Sequence, residues 1–125
     1  MNSMNKFITI GRLTKDPEIK ELENGNKVSN ITLAVDRPYK DKEGNKITDF
    51  LSYSLWNKDA ERLCKLSSKG ALISLEGYNT MKEVEFDGHK TKVISPVVTN
   101  YNHLTNAKTY SDDVPENTIE EKAIA

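Results

Sequence analysis

The stretch from Ile47 to Trp56 carries side chains whose types and spacing could do chemistry. It reads ITDFLSYSLW, and its alternation is typical of a β-strand, in which successive side chains face opposite ways. One predicted face carries two aromatic rings separated by two small hydroxyls: Phe50, Ser52, Ser54 and Trp56. The other carries Leu51, Tyr53 and Leu55, which we predict to face the core. Exposed rings with space between them can stack against flat ligands such as nucleic-acid bases. The alternative is that both rings pack beneath a loop or against a partner subunit.

Residue types that perform catalysis or bind metals are otherwise sparse. The chain has one cysteine, Cys64, so it can form no internal disulfide, and its spacing favours a place in the core. Its two histidines, His89 and His103, lie too far apart in the sequence to suggest a zinc site. We find no nucleophile paired with a base and no phosphate-binding glycine loop. We therefore predict a binding protein with no metal and no cofactor; an enzyme is the less favoured alternative.

Length and charge limit the class of protein further. A chain of 125 residues is long enough for one domain with a hydrophobic core. No apolar run reaches the length of a membrane span, and the N-terminus lacks the apolar core of a signal peptide, so we expect a cytoplasmic protein. The net charge is −1, but 16 Lys or Arg stand against 14 Asp or Glu up to Leu104, and 2 against 5 from Thr105 onward. The first part is thus mildly basic and the tail acidic.

Five strands and one helix are predicted to position these residues. Alternating and β-branched residues favour strands at Lys6 to Leu13, Ser29 to Asp36, Ile47 to Trp56, Ala71 to Thr80 and Thr91 to Tyr101. In the second strand, the predicted core face is made of Ile31, Leu33 and Val35. A helix is predicted after the capping residue Asn57, with Ala60, Leu63, Cys64 and Leu66 on its apolar side and Gly70 at its end. Turns are predicted at Asn24-Gly25, Gly44-Asn45 and Asp87-Gly88, and an edge or bulge at Pro96.

The order strand, strand, strand, helix, strand, strand is the plan of an OB-fold, a five-stranded barrel whose middle strands bind oligonucleotides or oligosaccharides. We therefore predict an all-β fold with one helix, and we expect this domain to occupy residues 1–104. From Thr105 onward the apolar periodicity stops and polar, acidic and proline residues dominate. We predict that residues 105–125 form a disordered acidic C-terminal tail.

Several runs of residues resemble the bacterial single-stranded DNA-binding protein family. They are Ile10 to Glu18 (IGRLTKDPE), Asn30 to Val35 (NITLAV), the Arg37-Pro38-Tyr39 segment, and Lys69-Gly70 followed by Leu75-Glu76-Gly77. The resemblance covers about Met4 to Leu104. It implies an OB-fold that assembles as a homotetramer and binds single-stranded DNA without a sequence code. It also implies a role in DNA replication, recombination and repair, at the bacterial nucleoid.

The same resemblance implies which residues contact DNA. The stacking aromatics of the family fall on Tyr39, Phe50 and Trp56, and two of these are the rings that alternation predicts. A fourth family aromatic has no clean counterpart: Val84 stands near its place, and Phe86 is our choice for the role. The positions similar to the family's phosphate contacts are Lys6, Lys42, Lys58, Lys69 and Lys82. Ser52 leaves clearance for bases, but it stands where many members carry a basic residue.

The sequence also departs from the family. Many members end in an acidic tip with a terminal phenylalanine, which recruits replication and repair enzymes. The last residues of this sequence are Glu120 to Ala125, which do not resemble that tip. The stretch Asp112 to Pro115 resembles part of it, but it lies before the last residues. We therefore expect replication and repair proteins to be recruited poorly, as in an accessory copy from a phage, plasmid or other mobile element, or in a secondary chromosomal copy.

A second departure concerns the expected loop between the last two strands. The stretch from Glu83 to Asp87 carries three acids, which predicts weaker DNA binding. The alternative function is that of another OB-fold binding module, which takes RNA or mixed nucleic acid.

Overall fold

Six antiparallel strands and one helix make up the regular structure of residues 2–106, the part of the chain that this computed structural model describes. The elements are β1 (Phe7–Leu13), β2 (Lys20–Glu21), β3 (Lys27–Lys40), β4 (Lys46–Trp56), α1 (Lys58–Leu66), β5 (Leu72–Phe86) and β6 (His89–Thr105). The strand β2 is the one element that the sequence did not predict. It has two exposed residues, which carry no apolar pattern.

The strands form one sheet that curls around the core. β4 pairs with one edge of β3, and β1 and β2 pair with the other edge. β1 also pairs with β5, and β5 pairs with β6. β4 and β6 contact each other, but no ladder joins them within residues 2–106, so the barrel is open on this side. The arrangement confirms the predicted all-β OB-fold with one helix between the third long strand and the fourth.

The core lies between the inner faces of the sheet and the helix. Its buried side chains include Ile31, Leu33, Leu55, Leu63, Ile73, Leu75 and Tyr101. The predicted core face of β3 is confirmed, because Val35 packs against the same cluster as Ile31 and Leu33. On β4, Leu55 is buried and Tyr53 stacks on Phe7 with ring centroids 5.4 Å apart. Leu51 is exposed, contrary to prediction, although its partner across the β3–β4 ladder, Leu33, is buried.

The hairpin of β5 and β6 is longer than the sequence predicts. Its ladder runs out to the pair Phe86 and His89, so the stretch expected to be a loop is paired strand as far as Phe86. We call residues 80–95 the arm. Both sides of the arm are largely exposed, so its residues lack the apolar alternation that marks a strand against a core. The predicted turn at Asp87-Gly88 is present, and both residues have positive φ.

The helix begins after Asn57 as predicted, but its N-terminus is held differently and its end comes earlier. Asn57 occupies the N-cap position, but its side chain makes no capping bond. Instead, its Oδ1 accepts a hydrogen bond from the backbone N–H of Lys27, which ties the start of the helix to β3. The helix ends at Leu66, with Ser67 rather than Gly70 following it as the C-cap residue, and Leu66 is exposed rather than packed. Ser67 is buried, and its hydroxyl contacts that of Tyr101 at 2.8 Å.

The end of the fold lies slightly beyond the predicted domain boundary. Thr105, which was expected to begin the tail, is the last residue of β6 and pairs with Leu72. The rest of the predicted disordered tail, residues 107–125, lies outside the described residues. Within the described part, the one helix is too short to cross a membrane.

Candidate nucleic-acid interface

Two aromatic rings are exposed on the outer face of β4. Phe50 has 64% of its surface exposed and Trp56 has 49%, while Leu55 of the opposite face is buried. The ladder places small or polar residues of β3 beside this face, with Ala34 opposite Phe50 and Thr32 opposite Ser52. Because Ala34 is short, it leaves the face of Phe50 uncovered, while Trp56 stands opposite Val28 at the end of the ladder. The alternation that predicted the two rings is therefore confirmed as a surface feature.

A groove of about 480 Å³ lies between the arm and the part of β3 and β4 that carries Ser52 and Ser54, the two residues that alternate between the rings along β4. Polar side chains of β3 and β4 line it: Asn30, Thr32, Ser52 and Ser54. Ser54 donates a hydrogen bond of 2.6 Å to Asn30, and the hydroxyls of Ser52 and Thr32 are 3.4 Å apart. The other wall belongs to the β5–β6 hairpin and consists of Lys82, Val84, Val93, Ile94, Ser95 and Pro96. The groove is thus uncharged where it meets β4 and basic where it meets β5.

The acids of the arm are placed away from this groove. Lys82 and Val84 line it, so the residues that alternate with them, Glu83 and Glu85, point to the opposite side. There the ladder sets acid against base, with Glu83 opposite Lys92 and Glu85 opposite Lys90. Repulsion between these two carboxylates and a bound phosphate chain is correspondingly reduced. Two of the three acids behind the expectation of weaker binding therefore do not face the groove.

Tyr39 lies near the end of the β3–β4 hairpin and is 58% exposed. The pairing of β3 with β4 shifts between Asp36 and Lys40, which makes a bulge at this point. The Tyr39 hydroxyl accepts a hydrogen bond of 3.2 Å from Arg37, whose guanidinium also pairs with Asp49. Sequence reasoning noticed Arg37 only as part of a motif and missed Asp49. The strand register needed to bring them together was not visible in the sequence.

The fourth predicted aromatic is separated from the groove. Phe86 is 77% exposed and sits opposite His89 at the tip of the arm. The residue that lines the groove near that point is Val84. A stacking role for Phe86 stays a prediction, and in this structure it would require DNA to reach the tip of the arm.

The five predicted phosphate contacts are all exposed, but they are spread over the surface. Lys82 lines the groove, whereas Lys6 forms an ion pair of 3.3 Å with Glu76. Lys42 lies between β3 and β4, Lys58 begins the helix, and Lys69 follows it. A further lysine, Lys15, lines the groove and is not among the five, although it lies within the run Ile10 to Glu18 that resembles the family.

Among residues 2–106, no group of His, Cys, Asp and Glu side chains is placed to hold a metal ion. Cys64 is partly buried in the helix, and burial raises the pKa of its thiol above the usual value. In and beside the groove the structure places aromatic rings, small hydroxyls and lysines. With the barrel and its single helix, they define an OB-fold binding domain.

Comparison with known proteins agrees with this class. The model of the single-strand binding protein family matches residues 4–104, and the chain belongs to this family. It is 51% identical over 75 residues to "Single-stranded DNA-binding protein 2" of Clostridium acetobutylicum, a match that covers 59% of this chain and 56% of that one. It is 33% identical over 95 residues to "Single-stranded DNA-binding protein" of Oceanobacillus iheyensis, covering 76% and 59%. A relative from Lactococcus lactis is 34% identical over 107 residues, covering 85% and 71%. The chain thus spans little more than half the length of the first two relatives.

Proposed function

We propose that this protein binds single-stranded DNA without sequence preference and protects it during DNA replication, recombination and repair. The observation that carries the proposal is the pair of exposed rings, Phe50 and Trp56, which flank along β4 the two serines that line a groove with Lys82 on its wall. A binder that ignores sequence must use what all nucleotides share, namely a flat base and a phosphate. The rings offer stacking surfaces and the lysine offers charge. Family membership supports the role of a binding protein rather than an enzyme.

Stacking energies indicate how such a site would work. Each base stacked on an aromatic ring contributes about 1–3 kcal/mol. Stacks on Tyr39, Phe50 and Trp56 would together contribute about 3–9 kcal/mol, from which the cost of ordering the DNA must be subtracted. One domain of this kind therefore holds DNA modestly. Several domains that share one strand hold it far more tightly, because each contact raises the effective concentration for the next.

We further propose that the protein acts as a homotetramer, as the family resemblance implies. The outer face of β1 supports self-association, since it displays Ile8 and Ile10 with 64% and 51% of their surfaces exposed. Apolar side chains clustered on an exposed sheet face commonly mark contact surfaces. The proposed binding domain is residues 1–104 together with Thr105, whose pairing with Leu72 ends β6. A protein with this ligand would work in the cytoplasm, at the nucleoid.

Trp56 provides the test, because it is the only tryptophan in the chain. Titration with oligo-dT is expected to quench its fluorescence strongly and to saturation, since a stacked base would cover the indole. Trp56→Ala is expected to weaken binding by about 5- to 150-fold, which corresponds to the loss of one stack. Lack of quenching together with unchanged binding by Trp56→Ala would contradict the proposal.

The same titration separates the alternative functions. Duplex DNA of equal length serves as the control, because its bases are not free to stack on the rings. Oligo-rU tests the RNA alternative, and equal or tighter binding to oligo-rU would favour an RNA-binding module.

A further inference from the structure

The bulge in β3 brings an unusual set of side chains together around Tyr39. Asp36 pairs with Thr48 and Lys40 pairs with Lys46, so three residues of β3 face a single residue of β4. Such a bulge changes the direction of a side chain relative to the regular strand. Tyr39 lies within it and is 58% exposed. A ring this exposed on a bulged segment needs a specific contact if it is to keep one orientation.

Arg37 supplies that contact. Its Nη1 donates a hydrogen bond of 3.2 Å to the Tyr39 hydroxyl, and its guanidinium carbon lies 6.0 Å from the centre of the Tyr39 ring. The same guanidinium is fixed across the hairpin by two further hydrogen bonds to the Asp49 carboxylate, of 2.9 Å from Nε and 3.1 Å from Nη2. A two-point contact of this kind restricts the orientation of an arginine more than a single bond does.

The side of β4 on which Asp49 lies, and its charge, determine how it acts on Arg37. Asp49 alternates with Phe50 and Ser52 along β4, so its side chain points to the side of the strand away from the groove. Hydrogen bonds from Arg37 lower the pKa of Asp49, which keeps the carboxylate charged at neutral pH. The positive charge of Arg37 is therefore matched by a negative charge next to it.

We propose that Arg37 and Asp49 act as a brace that holds the Tyr39 ring in the orientation needed for base stacking. Arg37 is then a positioning residue, and it is not a phosphate contact. The inference rests on the proposed binding of single-stranded DNA and deepens it by assigning two residues that touch no base. Its physical basis is preorganisation: a ring already held in place loses less conformational freedom when DNA binds.

The substitution Asp49→Asn tests the brace, because charge and positioning predict opposite results. Removal of a negative charge makes the site more positive, which by itself would tighten DNA binding. If Asp49 anchors Arg37, the same change frees Tyr39 and weakens oligo-dT binding by about 2- to 12-fold, the cost of ordering one free side chain. We expect weaker binding. Tighter binding by Asp49→Asn would overturn the brace.

Asp36→Asn is the matched control. Asp36 lies on the same hairpin, accepts a hydrogen bond from Thr48 and pairs with Lys46 at 3.5 Å, so its substitution removes an equal charge from a more exposed ion pair that does not contact Tyr39. We expect this variant to bind DNA as well as the unmodified protein or more tightly. If both variants weaken binding equally, the effect belongs to the hairpin as a whole and the brace is overturned.

A double-mutant cycle shows whether the brace acts through Tyr39. In the Tyr39→Ala background, Asp49→Asn is expected to cause no further loss of affinity; a full additional loss would overturn the proposal. Arg37→Lys provides a second variant, because it keeps the charge but loses the two-point contact, and it is expected to weaken binding as Asp49→Asn does. Binding of oligo-dT by the unmodified protein is measured first. If it is absent, the proposed function fails; if it is present and the variants behave otherwise than expected, only the brace fails.

Discussion

Gly77 and Val97 approach each other so closely across the β5–β6 ladder that no side chain fits at position 77. A Cβ atom placed there would overlap the carbonyl oxygen of Val97 and lie 3.0 Å from ring carbon Cε2 of Phe7. The ladder also shifts register at this point, between Glu76 and Gly77. The close approach lies at the base of the arm, where the two strands leave the core.

We therefore expect Gly77→Ala to destabilise the domain by about 1–3 kcal/mol, the usual cost of forcing atoms into a filled site. The obstacle is backbone, which cannot move aside as a flexible side chain can. Urea unfolding followed by circular dichroism measures the change. Glu85→Ala, on the exposed arm of the same strand, is the control and should change stability by less than about 0.5 kcal/mol. Equal stability of the two variants would show that a methyl group can be accommodated at position 77.

The two sides of the arm should differ in their contribution to DNA binding. Lys82 lines the groove, whereas Lys92 lies on the other side, opposite Glu83. Lys82→Gln is expected to weaken oligo-dT binding and to lower the salt dependence by about 0.7 in the slope of log K against log salt. Lys92→Gln is the matched control, and its slope should change less. If the two variants have identical salt slopes, DNA does not bind preferentially to the groove side of the arm.

The neutral floor of the groove should limit affinity. Ser52 lies there between the two rings, and its hydroxyl neighbours that of Thr32. Ser52→Lys places a charge where the phosphate chain is proposed to run, so we expect tighter binding and a salt slope steeper by about 0.7. Asn102→Lys, on an exposed position of β6 outside the groove lining, controls for net charge. If both variants tighten binding equally, the groove is not the path of the DNA.

Cys64 should react slowly in the folded protein. Burial raises the pKa of its thiol above the ordinary value of 9.0, and the thiolate is the reactive form. At pH 8, well below that pKa, the folded protein therefore holds less thiolate than the unfolded chain does. Modification by a thiol reagent, followed by absorbance in buffer and in denaturant, measures the difference. Equal rates in the two solutions would show that the helix does not protect Cys64.

The features predictable from the sequence are those in which one side of an element is buried. Leu55 lies inside and Trp56 outside, so burial leaves an alternating pattern in β4 that can be recognised. The arm leaves no such pattern, because residues on both of its sides, such as Lys82 and Glu83, are exposed. The sequence therefore predicts a shorter arm, with a loop where the structure has strand up to Phe86.

Contacts between side chains of neighbouring strands are harder to predict from the sequence than which side of a strand is buried. The pairing of Arg37 with Asp49 depends on the register of the β3–β4 hairpin, and a bulge shifts that register close by. The predicted capping bond of the Asn57 side chain is missing for a related reason. The position was right, but the side chain found a partner on β3, Lys27, that only the folded structure brings near.

The two-sided arm limits how this protein can change in evolution or by design. Lys82 and Glu83 occupy opposite sides because side chains alternate along β5. Insertion of one residue in β5 before Lys82 would exchange the two sides and turn the acids toward the groove. Insertion of two residues in each strand would lengthen the arm and keep every side chain on its own side. Arms that keep their DNA-binding side should therefore differ in length by an even number of residues in each strand.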